Sequence, residues 1–375
     1  MRIAVNTRLL LKGKLEGIGW FTYENLKRIV NAHPEHEFFF LFDRPYSQDF
    51  IFADNVTPVV LFPQARHPFL YFLWFELSVK FALKRIKPDL FISPDGYLSL
   101  GTTIKTLLVF HDLNFEHYPG DLPLMERWYY RTFFPRFARK ADRIATVSEF
   151  SKQDIMALYN IPASMIDVVY NGANEIYKPL DAEKIKLTRQ THAGGYPYLF
   201  FIGSLHPRKN LVNLFKAFDM YRDTRPTPVK LVITGARKWW TKEIETVYNS
   251  MKYRDEVIFT GRLTLAEIHR VLGSALALTY VSYFEGFGIP IVEAFRCGTP
   301  VITANVTSMP EVADDAAITV DPFNPRAIAD AMTRITDDQI LREKLIQKGL
   351  LRAEEFTWDK SAERLWKSIE KVMGL

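Results

Sequence analysis

With 375 residues, 48% apolar and 24% charged, the chain is long enough to bury two cores and has the composition of a globular protein, not of a disordered or fibrous one. Its 48 basic and 43 acidic residues leave a formal charge of +5, too small and too dispersed for a nucleic-acid footprint, so no nucleic-acid partner is expected. A single cysteine, Cys297, excludes an intrachain disulfide framework and multi-cysteine zinc sites, and points to a reducing, cytoplasmic compartment.

In chain order, short apolar runs bounded by turns alternate with helix-period segments, the pattern of parallel sheets covered by helices. The opening run, Met1 to Asn6, reads as a strand and lacks the features of a signal peptide. Further strands are expected near 37–42, 57–61, 89–92, 106–110, 143–147 and 166–170, with helices near 19–31, 68–86, 124–141 and 149–159. The helix at 68–86 carries Phe69 to Phe75, an uncharged stretch far short of the ~20 residues of a membrane span. It is apolar around most of its circumference, which favours burial, and basic at its end, which also suits peripheral contact with an anionic bilayer. Arg127 to Lys140 carries the same two options.

Between Asn171 and Tyr196 a polar segment is punctuated by Asn171-Gly172, Lys178-Pro179 and His192-Ala-Gly-Gly195, and is read as the hinge between two doubly wound domains. Beyond it, strands are expected near 198–202, 229–234, 256–260, 275–280, 300–303 and 316–320, separated by helices near 210–222, 241–252, 264–273, 290–297 and 325–335. The expected domains are 1–175 and 176–355, with a helix in 356–375 packing back toward the first. In such sheets ligands bind beyond the carboxyl ends of the strands, so the strand-to-helix loops are where chemistry is sought.

The most informative loop runs from Tyr280 through Glu285-Gly-Phe-Gly-Ile-Pro290 to Glu293 and Gly298. A strand ends, a glycine-rich turn follows, and Pro290 stands where a first helical residue is favoured. Backbone N–H groups and the positive helix end are thereby aimed at whatever lies above the strands, which suits a phosphate. Glu285 and Glu293 can accept hydrogen bonds from sugar hydroxyls, although either alone could simply stabilise the helix start. A second loop, Gly203-Ser-Leu-His206-Pro-Arg208-Lys209-Asn210, sets two cations beside a helix start capped by Asn210, where a diphosphate could dock.

Together these loops resemble the donor site of glycosyltransferase family 4, retaining enzymes of the GT-B fold, whose E-x7-E pair Glu285 and Glu293 match. Further matches are Gly17-Ile-Gly19, His111-Asp112, Thr146-Val-Ser-Glu-Phe-Ser151, Asn171-Gly172 and Ser308-Met-Pro-Glu-Val312. The resemblance implies two Rossmann-like domains facing a central cleft. It implies that Glu293 binds ribose hydroxyls, that Glu285 and the turn Gly286, Phe287, Gly288 and Ile289 hold the transferred sugar, and that Arg208 with Lys209 meets the diphosphate. Many members carry arginine where this chain has Ser204, after Gly203, and Arg208 is expected to supply that guanidinium. Arg262 and Leu263 sit where the family lines the base pocket, His111 where it places a histidine beside the donor sugar, and Gly17, Ile18 and Gly19 where a loop nears the donor phosphate and acceptor.

The implied reaction is transfer of a hexose with retention, from a nucleotide diphosphate sugar to a glycan or lipid-linked acceptor, with neither metal nor cofactor. The Pro207-Arg208-Lys209-Asn210 variant is similar to bacterial mannosyltransferases of surface polysaccharide assembly, which suggests GDP-mannose; the expected location is the cytoplasm, with peripheral contact at the inner face of the cytoplasmic membrane as the option left by the helices at 68–86 and 127–140. A non-hydrolysing nucleotide-sugar epimerase and a catalytically silent nucleotide-binding scaffold share the architecture and are the alternatives.

Overall fold

The strands form because runs such as Glu37-Phe-Phe-Phe-Leu-Phe42 and Tyr198-Leu-Phe-Phe-Ile202 are apolar on both faces, which suits a parallel sheet covered by helices on either side. A computed structural model describes residues 1–375, apart from the side chain of Lys238. Two compact units result, Met1–Gly172 with Trp358–Leu375, and Ala173–Thr357.

Unit 1 contains β1 (Arg2–Asn6), β2 (Glu37–Phe42), β3 (Val56–Val60), β4 (Leu90–Ser93), β5 (Lys105–Phe110), β6 (Arg143–Thr146) and β7 (Ile166–Val168), all parallel in the order β3-β2-β1-β4-β5-β6-β7. Unit 2 contains β8 (Tyr198–Ile202), β9 (Lys230–Thr234), β10 (Val257–Gly261), β11 (Ala277–Tyr280), β12 (Val301–Ala304) and β13 (Ile318–Val320), parallel in the order β10-β9-β8-β11-β12-β13. Both sheets reverse their order beside a central strand, between β1 and β4 in unit 1 and between β8 and β11 in unit 2. These are the switch points at which open α/β sheets hold ligands.

The observed strands fall within a residue or two of the expected ones, and three departures have physical causes. The segment from Asn171 to Tyr196 is not irregular throughout, because it contains the helix Ala182–Ala193, capped by the Asp181 side chain and ended by Gly194 in the left-handed region. Only Thr188 and Ala193 of that helix are buried, so it carries almost no apolar period to read. The helix Gln339–Ala353 was likewise missed, with Leu345, Gly349 and Ala353 as its buried face. The single helix expected over 68–86 is Pro68–Leu73, a π segment Trp74–Val79 and Lys80–Ile86, and the wider π turns change which side chains face inward.

The helix Trp358–Met373 belongs to unit 1. Trp358, Ala362, Leu365 and Ile369 recur at helical spacing and are buried against the helix Gly17–Ala32 and the edge of β5. Asp359 accepts from Arg28 at 2.5 Å, Lys371 reaches Asp167 at 2.7 Å, and Trp366 stacks on His33 with ring centroids 3.5 Å apart. Ile369→Ala, which empties a fully buried position, is therefore expected to cost unit 1 about 2–5 kcal/mol in urea unfolding. A loss below about 0.5 kcal/mol would show that the helix is peripheral to the fold.

Candidate active site

The loops after β8 and β11 are brought together because those strands are neighbours at the switch point of the second sheet. Gly203 has φ +150°, and a Cβ on Gly235, after β9, would lie 1.8 Å from the Gly203 carbonyl oxygen. Both turns must therefore be glycine for the β8 loop to pass so close to its neighbour. The backbone then makes a short turn at Pro207–Lys209, and the Arg208 carbonyl accepts from the Tyr283 N–H at 3.0 Å, joining the loops directly.

Arg208 and Lys209 converge on Glu285. Arg208 Nη1 donates to Glu285 Oε2 at 2.7 Å and to the Phe284 carbonyl at 2.9 Å, while Lys209 Nζ donates to Glu285 Oε1 at 2.5 Å and to the Tyr280 hydroxyl at 2.5 Å. Burial by itself would raise the Glu285 carboxyl, but the Arg208 guanidinium and the Lys209 ammonium outweigh it and hold the group down at about 2. Tyr280 is fully buried, and burial together with the Glu285 carboxylate pushes its hydroxyl up, so that it stays neutral. Two cations from one loop thus meet one carboxylate from the other.

Neighbouring loops hold the cluster in place. Ser308 Oγ donates to the Glu285 carbonyl at 2.8 Å, and the Glu285 N–H donates to Thr307 Oγ1 at 3.3 Å. Asn210, expected as a side-chain cap, stands at the cap position with φ +62° and makes no cap bond. Its amide donates instead to the carbonyls of Val281, at 2.9 Å, and Pro322, at 2.6 Å, so its hydrogen-bonding capacity goes into tying three segments together. Gly288, at φ +95°, opens the helix Ile289–Arg296, with Pro290 in its first turn.

Glu293 stands on that helix in different surroundings. It is half-buried, and burial raises its carboxyl to about 7 against the hydrogen bond from the Tyr177 hydroxyl. Phe287, expected to contribute its backbone to the donor turn, has its ring buried edge-on to Phe356, with centroids 5.4 Å apart. Gly286 is buried and Ser204 exposed. Arg262 and Leu263 follow β10, the edge strand, two places from β8, and the Gly261 carbonyl accepts from the Gly235 N–H at 3.0 Å. Arg262 is exposed there, outside the Glu285 cluster.

In unit 1, Gly17, Ile18 and Gly19 open the helix Gly17–Ala32, and Phe21, in the same turn, meets the His111 ring edge-on at 5.0 Å. His111 follows β5, and its Nε2 lies 2.8 Å from the Pro94 carbonyl. A carbonyl can only accept, so the proton sits on Nε2 and Nδ1 is an acceptor. Burial lowers the pKa of this ring and keeps it neutral. Asp112 accepts from the Asn114 N–H at 3.0 Å, a local turn bond. The sequence reading overlooked Arg8 and Asp95 at the switch point of this unit, where a buried ion pair of 2.5 Å sits beneath the rings of Tyr71 and Tyr97, and Asn6 donates to Asp95 at 2.8 Å. It also overlooked Tyr177, Tyr280 and Gly235. The only cue was for Tyr280, the last residue of the buried strand β11 and so at its carboxyl end. His33, Glu35 and His36 bring ligand atoms within 4.8 Å of one another on the turn before β2, apart from all of these loops.

Paired loops of this build over the switch point of a doubly wound sheet define an α/β protein with a ligand crevice at that end of its strands. The description Glycosyltransferase Family 4 matches residues 16–175, and Glycosyl transferases group 1 matches residues 183–352. The chain belongs to this glycosyltransferase family, and it is a glycosyltransferase of the two-domain GT-B fold. It is 27% identical over 93% of its length to 94% of the Escherichia coli O-antigen chain mannosyltransferase B. Its fold is shared with sucrose-phosphate synthase from Thermosynechococcus elongatus, at a TM-score of 0.82 and 16% identity over 100% of this chain and 99% of the other. It is shared also with Anabaena HepE in complex with UDP and glucose, at 0.78 and 17% over 99% and 100%.

The two glutamates make opposite pH contributions to folding. A carboxyl held below its ordinary value, like Glu285, contributes stability that is present above about 4.5 and lost as pH falls toward about 2. Glu293, raised above 4.5 to about 7, contributes stability that is present below 4.5 and lost as pH rises through 7. Glu293→Gln should therefore gain roughly 1–2 kcal/mol on the native protein between about pH 5 and pH 8, after discounting for partial exposure. Urea unfolding at both pH values tests this, and an unchanging difference between variant and native protein would exclude a raised carboxyl.

Proposed function

We propose that the protein is a retaining hexosyltransferase that takes mannose from GDP-mannose and passes it to a glycan or lipid-linked acceptor of a bacterial surface polysaccharide, at the cytoplasmic face of the membrane. The observation that carries this reading is the ion cluster at the switch point of unit 2, where Arg208 and Lys209 are both fixed on Glu285 at the start of the glycine-rich turn. The Escherichia coli relative supports the choice of mannose, since its name gives both the sugar and the O-antigen chain.

In this reading Glu293, the other carboxylate of the same loop, accepts from the ribose hydroxyls. Glu285 and the backbone of Gly286 to Ile289 hold the transferred sugar. Arg208 and Lys209 meet the diphosphate, on which negative charge grows as the glycosidic bond breaks, and they are positioned before the reaction begins. The acceptor hydroxyl attacks on the face from which the nucleoside diphosphate leaves, so the anomeric configuration is kept. His111 accepts a substrate hydroxyl at Nδ1. These fixed cations perform the charge compensation that a divalent ion performs elsewhere, and transfer is proposed to proceed without one.

Two substitutions separate the roles. Glu293→Gln should weaken GDP binding by roughly tenfold to a hundredfold, the value of a charge-assisted bond of about 1.5–3 kcal/mol. Glu285→Gln should leave GDP affinity equal or tighter, because both cations lose their carboxylate partner, and should lose kcat with the intact sugar nucleotide by roughly a hundredfold or more. Calorimetry with GDP and steady-state transfer kinetics, both in excess EDTA, give the comparison. Equal loss of GDP affinity in the two variants would overturn the division of roles. Activity that vanishes in EDTA and returns with Mg²⁺ would overturn the metal-free mechanism, and tighter binding of UDP than GDP would overturn the choice of donor.

A further inference from the structure

The turn between the helix Gly17–Ala32 and β2 reads His33-Pro-Glu35-His36, and the transferase reading uses none of it. Glu35 Oε1 lies 3.5 Å from His33 Nδ1 and 3.3 Å from His36 Nε2, and the three residues bring ligand atoms within 4.8 Å of one another. Both separations are long for an N–H···O hydrogen bond, whose ordinary range ends near ~3.2 Å. They suit a shared metal better. At metal–ligand bonds of about 2.0–2.2 Å, angles near tetrahedral set neighbouring ligand atoms roughly 3.3–3.6 Å apart, so both edges of the cluster that end on Glu35 already have the required length.

The rings are held in place by their surroundings. His33 stacks on Trp366 with its plane 14° from the indole, His36 lies 5.4 Å from the same indole at 19°, and the two imidazoles are within 5° of parallel. Their side chains are 24% and 14% exposed, whereas Glu35 is open to solvent. Asn55 fixes the backbone of the turn, its amide donating to the carbonyls of Val30, His33 and His36 at 3.1, 3.2 and 3.1 Å. The Met1 nitrogen lies 3.1 Å from His36 Nδ1, which leaves Nε2 toward Glu35. A metal at Nε2 displaces the proton there, and the hydrogen shared with the Met1 amine settles on Nδ1, so the ring stays a neutral ligand. Two imidazoles and one carboxylate select ions of the zinc, nickel and copper group over magnesium and calcium, which take oxygen ligands.

We propose that His33, Glu35 and His36 form a binding site for one divalent transition ion of the zinc class, with the remaining position left to water, and that the bound ion fixes both histidine rings against Trp366. Trp366 belongs to the helix Trp358–Met373, which packs on the helix Gly17–Ala32 just before this turn, so the ion would strengthen the seating of the last helix on unit 1. The site stands on unit 1 alone. It goes beyond the transferase reading and takes no part in the transfer.

Calorimetric titration of the full chain with ZnCl₂, after chelation and dialysis, tests it. One equivalent should bind, and its affinity should fall at least about tenfold in His33→Ala, in His36→Ala and in Glu35→Ala, while MgCl₂ at the same concentrations gives no such binding. Glu35 is exposed, so its variant should fold as the native protein does without metal, and only the native protein should gain in thermal unfolding midpoint on addition of ZnCl₂. NiCl₂, which quenches an adjacent indole, should lower the emission of the native protein and leave that of Trp366→Phe unchanged. Absence of a ZnCl₂ equivalent would overturn the proposal. So would an equivalent that survives the three alanine variants unchanged, which would place the ion elsewhere, or quenching by NiCl₂ that persists in Trp366→Phe. GDP binding by Glu35→Ala, measured in EDTA, should equal that of the native protein, so failure here and failure of the transferase reading are separately visible.

Discussion

A carboxylate as deeply buried as that of Glu285 is costly unless its charge is met, and here two cations from another loop meet it. That requirement orders the surrounding architecture. Arg208 and Lys209 reach Glu285 only because β8 and β11 are neighbours, because Gly203 and Gly235 let two turns pass in contact, and because Asn210 and Ser308 hold the loops by their carbonyls. Replacing such a cluster with well-packed apolar residues is often neutral or stabilising in proteins, so folding alone is a weak reason for a chain to carry it. A preorganised charge that stays fixed while a reacting anion develops is a stronger one.

Glu285 and Glu293 share one loop and helix, yet their surroundings push their carboxyls in opposite directions, to about 2 and about 7. Burial raises both, and the difference lies in the partners. Glu285 has two full positive charges, whereas Glu293 has a phenol, which stabilises a carboxylate by one neutral hydrogen bond. Carboxylates separated in this way are suited to different tasks, one to remain ionised and the other to gain partners when a ligand supplies hydroxyl donors.

Much of this was legible in the sequence because strand and turn signals are local. Buried parallel strands are apolar on both faces, and a turn that needs glycine has glycine, so the alternation of strands and helices and the loop from Tyr280 to Gly298 could be read directly. The helix Ala182–Ala193 escaped because it buries little, leaving its polar residues without a period. What each side chain bonds to was not legible, because it depends on contacts distant in the chain. Asn210 has the residue type of a cap but serves Val281 and Pro322, the Phe287 ring packs on Phe356, and Tyr177 reaches Glu293 from a segment that reads only as a linker. The all-round apolar helix at 68–86 is the same case, since periodicity cannot say that one side of it stays uncovered.

The two units also differ in how charge is arranged at their switch points. Each has a switch point with a buried arginine or lysine paired to a carboxylate. In unit 1, Arg8 meets Asp95 one to one, Asn6 adds a neutral bond, and the rings of Tyr71 and Tyr97 cover the guanidinium, so the charges cancel. Burial would lower the Arg8 pKa, but Asp95 together with Tyr97 and Tyr71 outweighs it, and Arg8 stays firmly protonated. In unit 2 the same position has two cations for one carboxylate, and a helix start rich in glycine N–H groups stands beside them. The proposed diphosphate would meet two fixed cations there, whereas at the other switch point it would have to displace Asp95 from Arg8.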